Sequence, residues 1–339
     1  MHMADALVSP AVGGTLWAVS AGAVAHASAR LQQEADTRKA PLMGVMGAFL
    51  FAAQMINFTI PATGSSGHLG GGLLLAVLLG PQAALLVITS VLMVQALFFA
   101  DGGLLALGCN IFNMGVIPAY LVYPLVYRPL AGSYPTTGRR NIAIMVAALI
   151  ALQLGPFSVV LETVASGITA LPFSTFLRLM QPIHLAIGLV EGAVTAAVVS
   201  FVLQARPDMR LDAIGKTNGS LRGLALAFLV AALLIGGGFS LLASKNPDGL
   251  EWAMQKITGS EELAGQPSAT HRLLAQIQER SAFLPDYNFK KTESAAAQQL
   301  PPSSFGTSLA GMIGGLLTLI LLTVTGMVLK RRRVAGQGS

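Results

Sequence analysis

Gln82-Ala-Ala-Leu-Leu-Val-Ile-Thr-Ser-Val-Leu-Met-Val-Gln-Ala-Leu-Phe-Phe-Ala100 runs for 19 residues without an Asp, Glu, Lys or Arg. A helix rises about 1.5 Å per residue and must cross about 30 Å of hydrocarbon, which takes roughly 20 mostly apolar residues. This stretch therefore reads as a membrane span. Working outward, eight more candidates appear: 11–28, 41–58, 69–80, 103–123, 142–165, 182–203, 224–243 and 308–329. The segment 69–80 is short, and Pro81 separates it from 82–100, so the two read as a bent hairpin.

Composition agrees. The 339 residues are 53% hydrophobic and only 11% charged, with a mean hydropathy of +0.66. Soluble domains carry about a quarter of their residues as charge, so this chain cannot coat a water-facing surface, and a soluble enzyme is excluded. Thirty-seven glycines and 13 methionines suit closely packed membrane helices. The net charge of +6 is a topology signal rather than a sign of nucleic acid. With an outside N-terminus, 14 of the 21 Lys and Arg fall in inner segments, among them Arg38, Arg139, Arg140, Lys216 and Arg331. The expected topology is thus N-out and C-in. Ala25-His26-Ala27 mimics a signal-peptide cleavage site, but no Lys or Arg precedes Arg30, which argues against cleavage. A lone Cys109 allows no internal disulfide and no thiolate cluster.

The expected fold class is an all-α polytopic membrane protein. A seven-helix substrate-binding block (1–204) is followed by a cytoplasmic linker (205–222). A two-helix block (223–339) then encloses a small extracytoplasmic domain at 244–306 and ends in a basic tail.

Few residues can carry chemistry. Met1-His2 offers a terminal amine, the His2 amide nitrogen and the His2 Nδ1, which can close adjoining chelate rings in one plane. Such a set suits Ni(II) or Cu(II), with Co(II) as a further candidate; equally, the dipeptide can be only a start. His68 follows the uncharged loop 61–67, on the face where the topology puts the N-terminus, and can supply a fourth nitrogen or act as an interfacial cap. His184 and Glu191 lie seven apart on one helical face, suited either to a supporting or transit role or to a polar lock between helices. Asp101, Asn110 and Asn113 raise the same choice, and the two amides favour interhelical hydrogen bonding over ligation. His26 reads as structural and His271 as solvated. Gly215-Lys216-Thr217 is not a P-loop, because Arg210 stands where its first glycine belongs, so ATP hydrolysis must come from elsewhere.

Four stretches together resemble a known family. They are Met1-His2-Met3 with Leu7-Val8-Ser9-Pro10; Asn57-Phe-Thr-Ile-Pro-Ala-Thr-Gly-Ser-Ser-Gly-His68; Asp101-Gly-Gly-Leu-Leu-Ala-Leu-Gly-Cys-Asn-Ile-Phe-Asn-Met114; and His184-Leu-Ala-Ile-Gly-Leu-Val-Glu-Gly192. They look like the NikM/CbiM-type substrate-binding membrane component of nickel/cobalt energy-coupling-factor transporters. Asn246-Pro-Asp-Gly-Leu-Glu-Trp252 and Phe283-Leu-Pro-Asp-Tyr-Asn-Phe289 resemble the NikN-like PDGLE accessory component, as though the two were fused. The resemblance implies metal ligation by the Met1 amine, the His2 amide and imidazole, and the His68 imidazole, with Asn57 among the supporting candidates. It implies no resident cofactor, with Ni(II) as transported substrate and Co(II) as the alternative. It also implies a NikQ/CbiQ-like transmembrane coupling subunit, NikO/CbiO-like cytoplasmic ATPases and a bacterial inner-membrane location. The sequence differs in having Met3-Ala4-Asp5-Ala6 where the family often has Ile-Pro-Asp-Gly. A membrane scaffold and a self-sufficient secondary transporter are the rival readings.

Overall fold

A computed structural model describes residues 2–33, 39–205, 222–263, 268–290 and 303–336. Met1, most of the 205–222 linker and parts of 244–306 lie outside the described residues. The elements are α1 (Pro10–Gln33), α2 (Lys39–Gln54), β1 (Phe58–Ile60), β2 (Ser65–Gly67), α3 (Gly72–Leu79), α4 (Pro81–Phe99), α5 (Leu107–Ala131), α6 (Thr137–Ser166), α7 (Phe173–Ala205), α8 (Arg222–Gly237), α9 (Gly249–Thr258), α10 (Ala269–Ser281) and α11 (Ser303–Gly336).

Among the described residues the fold is all-α apart from one small hairpin. α4, α5, α6, α7 and the Phe305–Leu329 part of α11 combine the length and hydropathy of a crossing, while Pro41–Gln54 and α8 are apolar but shorter. The third segment is shorter than the sequence suggested. α3 has eight residues, about 12 Å of helix, and every one is buried, so it cannot cross alone. It turns back into α4 at Gly80, whose φ of 84° is open to glycine, and Pro81 then starts α4 where no N–H is needed. Within α5, Phe112–Tyr127 winds as a π-helix around Pro118 and Pro124, which lack the N–H of a regular ladder.

Small residues bring the two blocks together. A Cβ on Gly47 of α2 would overlap Leu322 of α11, and one on Gly44 would stand 3.0 Å from Leu319; within the second block, a Cβ on Gly311 would stand 2.7 Å from the Gly236 carbonyl of α8. Outward-facing Leu125, Ile142, Leu226 and Leu233 are each more than half exposed, a pattern that suits lipid rather than water. Outside the spans, α9 starts with a reciprocal cap. Asp248 accepts from the Leu250 and Glu251 amides at 2.8 and 3.0 Å, and Glu251 accepts from the Asp248 amide at 2.9 Å.

Candidate metal centre

His68 is positioned by the hairpin that precedes it and the loop that follows it. β1 and β2 pair antiparallel, Phe58 with Gly67 and Ile60 with Ser65, and the turn between them uses positive φ at Ala62 and Gly64. The chain leaves β2 directly into His68. Beyond it, the Gly70 and Gly71 amides donate to the Glu191 carboxylate at 2.7 and 3.1 Å, and Gln54 Nε2 donates to the Gly70 carbonyl at 2.9 Å. Glu191, buried in α7, therefore locks the His68 loop. His184, on the same helix, turns its Nδ1 to the Met180 carbonyl at 2.7 Å.

The N-terminal segment threads into the same end of the bundle. Met3 is fully buried. Its amide donates to Asn110 Oδ1 at 2.8 Å, and its carbonyl accepts from Asn110 Nδ2 at 3.2 Å and from the Gly103 amide at 2.9 Å. Asp5 Oδ1 accepts from the Ala106 amide at 2.9 Å, a contact that a side chain at Gly103 would block by overlapping Asp5. Asn110 thus holds backbone, as its amide chemistry suggested. Asn113 lies further along, donating to Glu162 at 2.9 Å and standing 3.7 Å from Met3 Sδ.

This threading brings His2 to His68. The two rings are nearly parallel, 10° apart, with centroids 5.1 Å apart. His2 Nε2 lies 3.1 Å from Gln95 Oε1, and Nδ1 lies 3.1 Å from Asp101 Oδ1. Gln95 donates in turn to Gln54 at 2.9 Å, and Gln54 reaches Gly70. A chain of amides therefore ties His2 to the loop that carries His68. Tyr287 donates to the other oxygen of Asp101.

The second block closes over this pair. Ser66 donates its amide to Pro247 and its hydroxyl to Asn246, both at 2.8 Å; Asn57 accepts from the Ser244 amide at 2.6 Å; and Trp252 donates to Thr63 at 3.0 Å. The result is a cavity of about 460 Å3 whose walls include His2, Asn57, His68, Asp101, Asp248 and Tyr287. Burial drives the His68 pKa down to about 3, so its ring presents a lone pair at neutral pH. Burial alone would raise the Asp101 carboxyl, but the facing His2 imidazole and the hydrogen bonds from His2 and Tyr287 hold it below the usual carboxylate range.

His271 corrects the sequence reading. It is not solvated but buried, with Nε2 3.1 Å from the Asp5 carbonyl and 3.0 Å from that of Val8, and Nδ1 2.6 Å from Ser268 Oγ. Two carbonyls around Nε2 require a proton there, so the ring fastens α10 onto the N-terminal segment. Gln278 adds bonds to Ala96 at 2.9 Å and Gly102 at 2.7 Å. A ligating role for the N-terminus would depend on this clasp. His271→Ala removes the ring donor from both carbonyls, although Asp5 keeps the Val8 amide at 3.1 Å; the cost of about 1–3 kcal/mol is expected to speed amide exchange over residues 3–8 about fivefold or more. Unchanged exchange would show that the clasp holds nothing. His26, by contrast, is exposed on α1, with its ring edge toward Tyr120 at 6.3 Å.

Sequence reasoning missed Gln54, Gln95, Asp248, Tyr287 and His271. Gln54 and Gln95 carried a signal, being amides inside apolar spans; the others are brought in by contacts between the blocks. Among the described residues no three His, Cys, Asp or Glu side chains stand where they would hold a metal ion. The set expected from the sequence has only two side chains, and Met1 lies outside the described residues.

Helices fit for lipid, with imidazoles and carboxylates around one pocket at the bundle's end, make this a multipass membrane protein. The chain belongs to the family of cobalt uptake substrate-specific transmembrane regions, which matches residues 2–209, and a PDGLE domain matches 222–331. A protein of Archaeoglobus fulgidus bearing the name NikMN is 31% identical over 323 residues, 95% of this chain and 96% of its own. The fused nickel transport protein NikMN of Rhodobacter capsulatus is 30% identical over 314 residues, 85% of this chain and 88% of its own. A solved structure, a truncated transition metal transporter, aligns with a TM-score of 0.54 at 28% identity, covering 60% of this chain and 99% of that one.

Proposed function

We propose that this chain is the metal-capture component of an ATP-driven importer of the energy-coupling-factor type, with Ni(II) as preferred substrate and Co(II) as the alternative. The observation that carries this reading is the approach of the His2 ring, at the second residue, to the His68 ring at 5.1 Å. One ion can bridge that gap when each ring nitrogen lies about 2 Å from it. The Met1 amine and the His2 amide would complete a nitrogen plane, the geometry that favours nickel. Ligation through His2 Nδ1 requires Asp101 to release its contact there. The nickel preference is supported by a PDGLE block like that of relatives named for nickel transport.

The N-terminus and the 460 Å3 cavity would face outward across the bacterial inner membrane, with the basic tail inside. Asp248, Glu251 and Asp286 on the cavity wall would draw cations toward the histidines. A coupling subunit and cytoplasmic ATPases would supply the energy. The deciding measurement is uptake of radioactive nickel into proteoliposomes holding the full chain alone or with those partners. Uptake is expected only with the ATPases and ATP; uptake by the chain alone would overturn the reading in favour of a self-sufficient transporter.

A further inference from the structure

His184 belongs to no ligand set, yet its surroundings are unusual. Its side chain is 1% exposed in the middle of α7. Nδ1 faces the Met180 carbonyl at 2.7 Å, so that nitrogen carries the proton, and Nε2 is left with a lone pair to which no group among the described residues donates. The Nε2 edge borders a second, narrow cavity of about 30 Å3, shared with His68, Asp248 and Gly249. A Cβ on Gly249 would come within 2.9 Å of His184 Cε1 and 3.2 Å of Nε2, so the absence of a side chain there keeps that edge open.

His68 and Asp248 line both this small cavity and the larger one beside His2. They form the partition between the two. A change on the His184 side therefore acts on a wall that the larger cavity shares. The volume exceeds the roughly 10–15 Å3 that seats one water, and a buried water typically makes about three hydrogen bonds. A water here can donate to His184 Nε2 and to the Asp248 carboxylate and still meet the His68 loop.

We propose that His184 is a positioning residue for the metal centre: through one ordered water in this cavity it fixes the orientation of the partition formed by His68 and Asp248. The arrangement resembles the outer shells of metal sites, where a carbonyl fixes the tautomer of one imidazole and a hydrogen-bonded group aims another. It also links the two blocks, because Asp248 and Gly249 come from the second and His184 and His68 from the first. This inference rests on the metal-capture reading.

A structure of the full chain at a resolution that shows waters is expected to place one within hydrogen-bond reach of His184 Nε2. A dry cavity, or nickel anomalous signal there, would overturn the proposal. In solution, His184→Leu removes the lone pair at similar bulk, and it is expected to weaken nickel binding about tenfold and shift the visible d–d band. His184→Gln, which keeps an acceptor, is expected to recover most of both. Should the Leu variant fail to fold, Gly249→Ala, which crowds the cavity from the other block, is expected to move the same band. A Leu or Ala variant that folds with unchanged affinity and an unchanged band would overturn the positioning role alone. An unmodified chain that binds no nickel would overturn the metal-capture reading and the positioning role with it.

Discussion

Extending the chain by one residue ahead of Met1 is expected to abolish nickel binding at the site shared with His68. The added residue turns the Met1 amine into an amide and puts His2 third from the new terminus, so the three-nitrogen chelate that leaves its fourth position to His68 no longer forms. Space is also lacking. Met3 is fully buried and held at both its amide and its carbonyl, so the docked segment cannot slide to readmit a new terminus. The loss should exceed the 10–100-fold typical of changes outside the ligand shell. The check is nickel titration of the purified chain with and without the extension, with intact mass confirming that Met1 starts the mature chain. Tight binding by the extended chain with the d–d band of the unmodified chain and the same dependence on His68 would remove the Met1 amine from the site.

His68→Ala is expected to weaken nickel binding severely. It removes one of the four proposed nitrogens outright and also the ring that stacks on His2 at 5.1 Å. The terminal chelate remains, so residual binding is expected, weakened by about 100-fold or more and with a changed d–d spectrum. Isothermal titration beside the unmodified chain reads both depth and stoichiometry. Equal affinities would exclude His68 as a ligand. An Arg30→Ala control should bind normally, since Arg30 stands exposed in the last turn of α1.

Much of the fold was legible because lipid imposes a simple rule of length and polarity, and stretches such as 82–100 obey it plainly. The approach of His2 to His68 was legible through topology, which put both on one face. The short α3 was harder, because a fully buried eight-residue helix and the end of a crossing share one apolar composition. His271 was misread for a different reason. Its neighbours Arg272, Glu279 and Arg280 advertise a solvated helix, and its partners are the backbone carbonyls of Asp5 and Val8, more than 260 residues away, which leave no mark in side-chain pattern. Asp248 lay in a motif whose Asp-x-x-Glu spacing announces a helix cap; its second task, walling the cavity beside His68, depends on how the two blocks meet.

The lock formed by Glu191 has an electrostatic consequence. The start of a helix carries roughly half a positive charge and gathers anions, so a bare α3 opening just after His68 would repel a divalent cation. Glu191 occupies that opening from the neighbouring helix, taking the Gly70 and Gly71 amides for itself. With those two donors taken, the helix end has neither amide to offer an anion. A place that would otherwise suit phosphate or sulfate is closed to them, without Glu191 having to touch the metal.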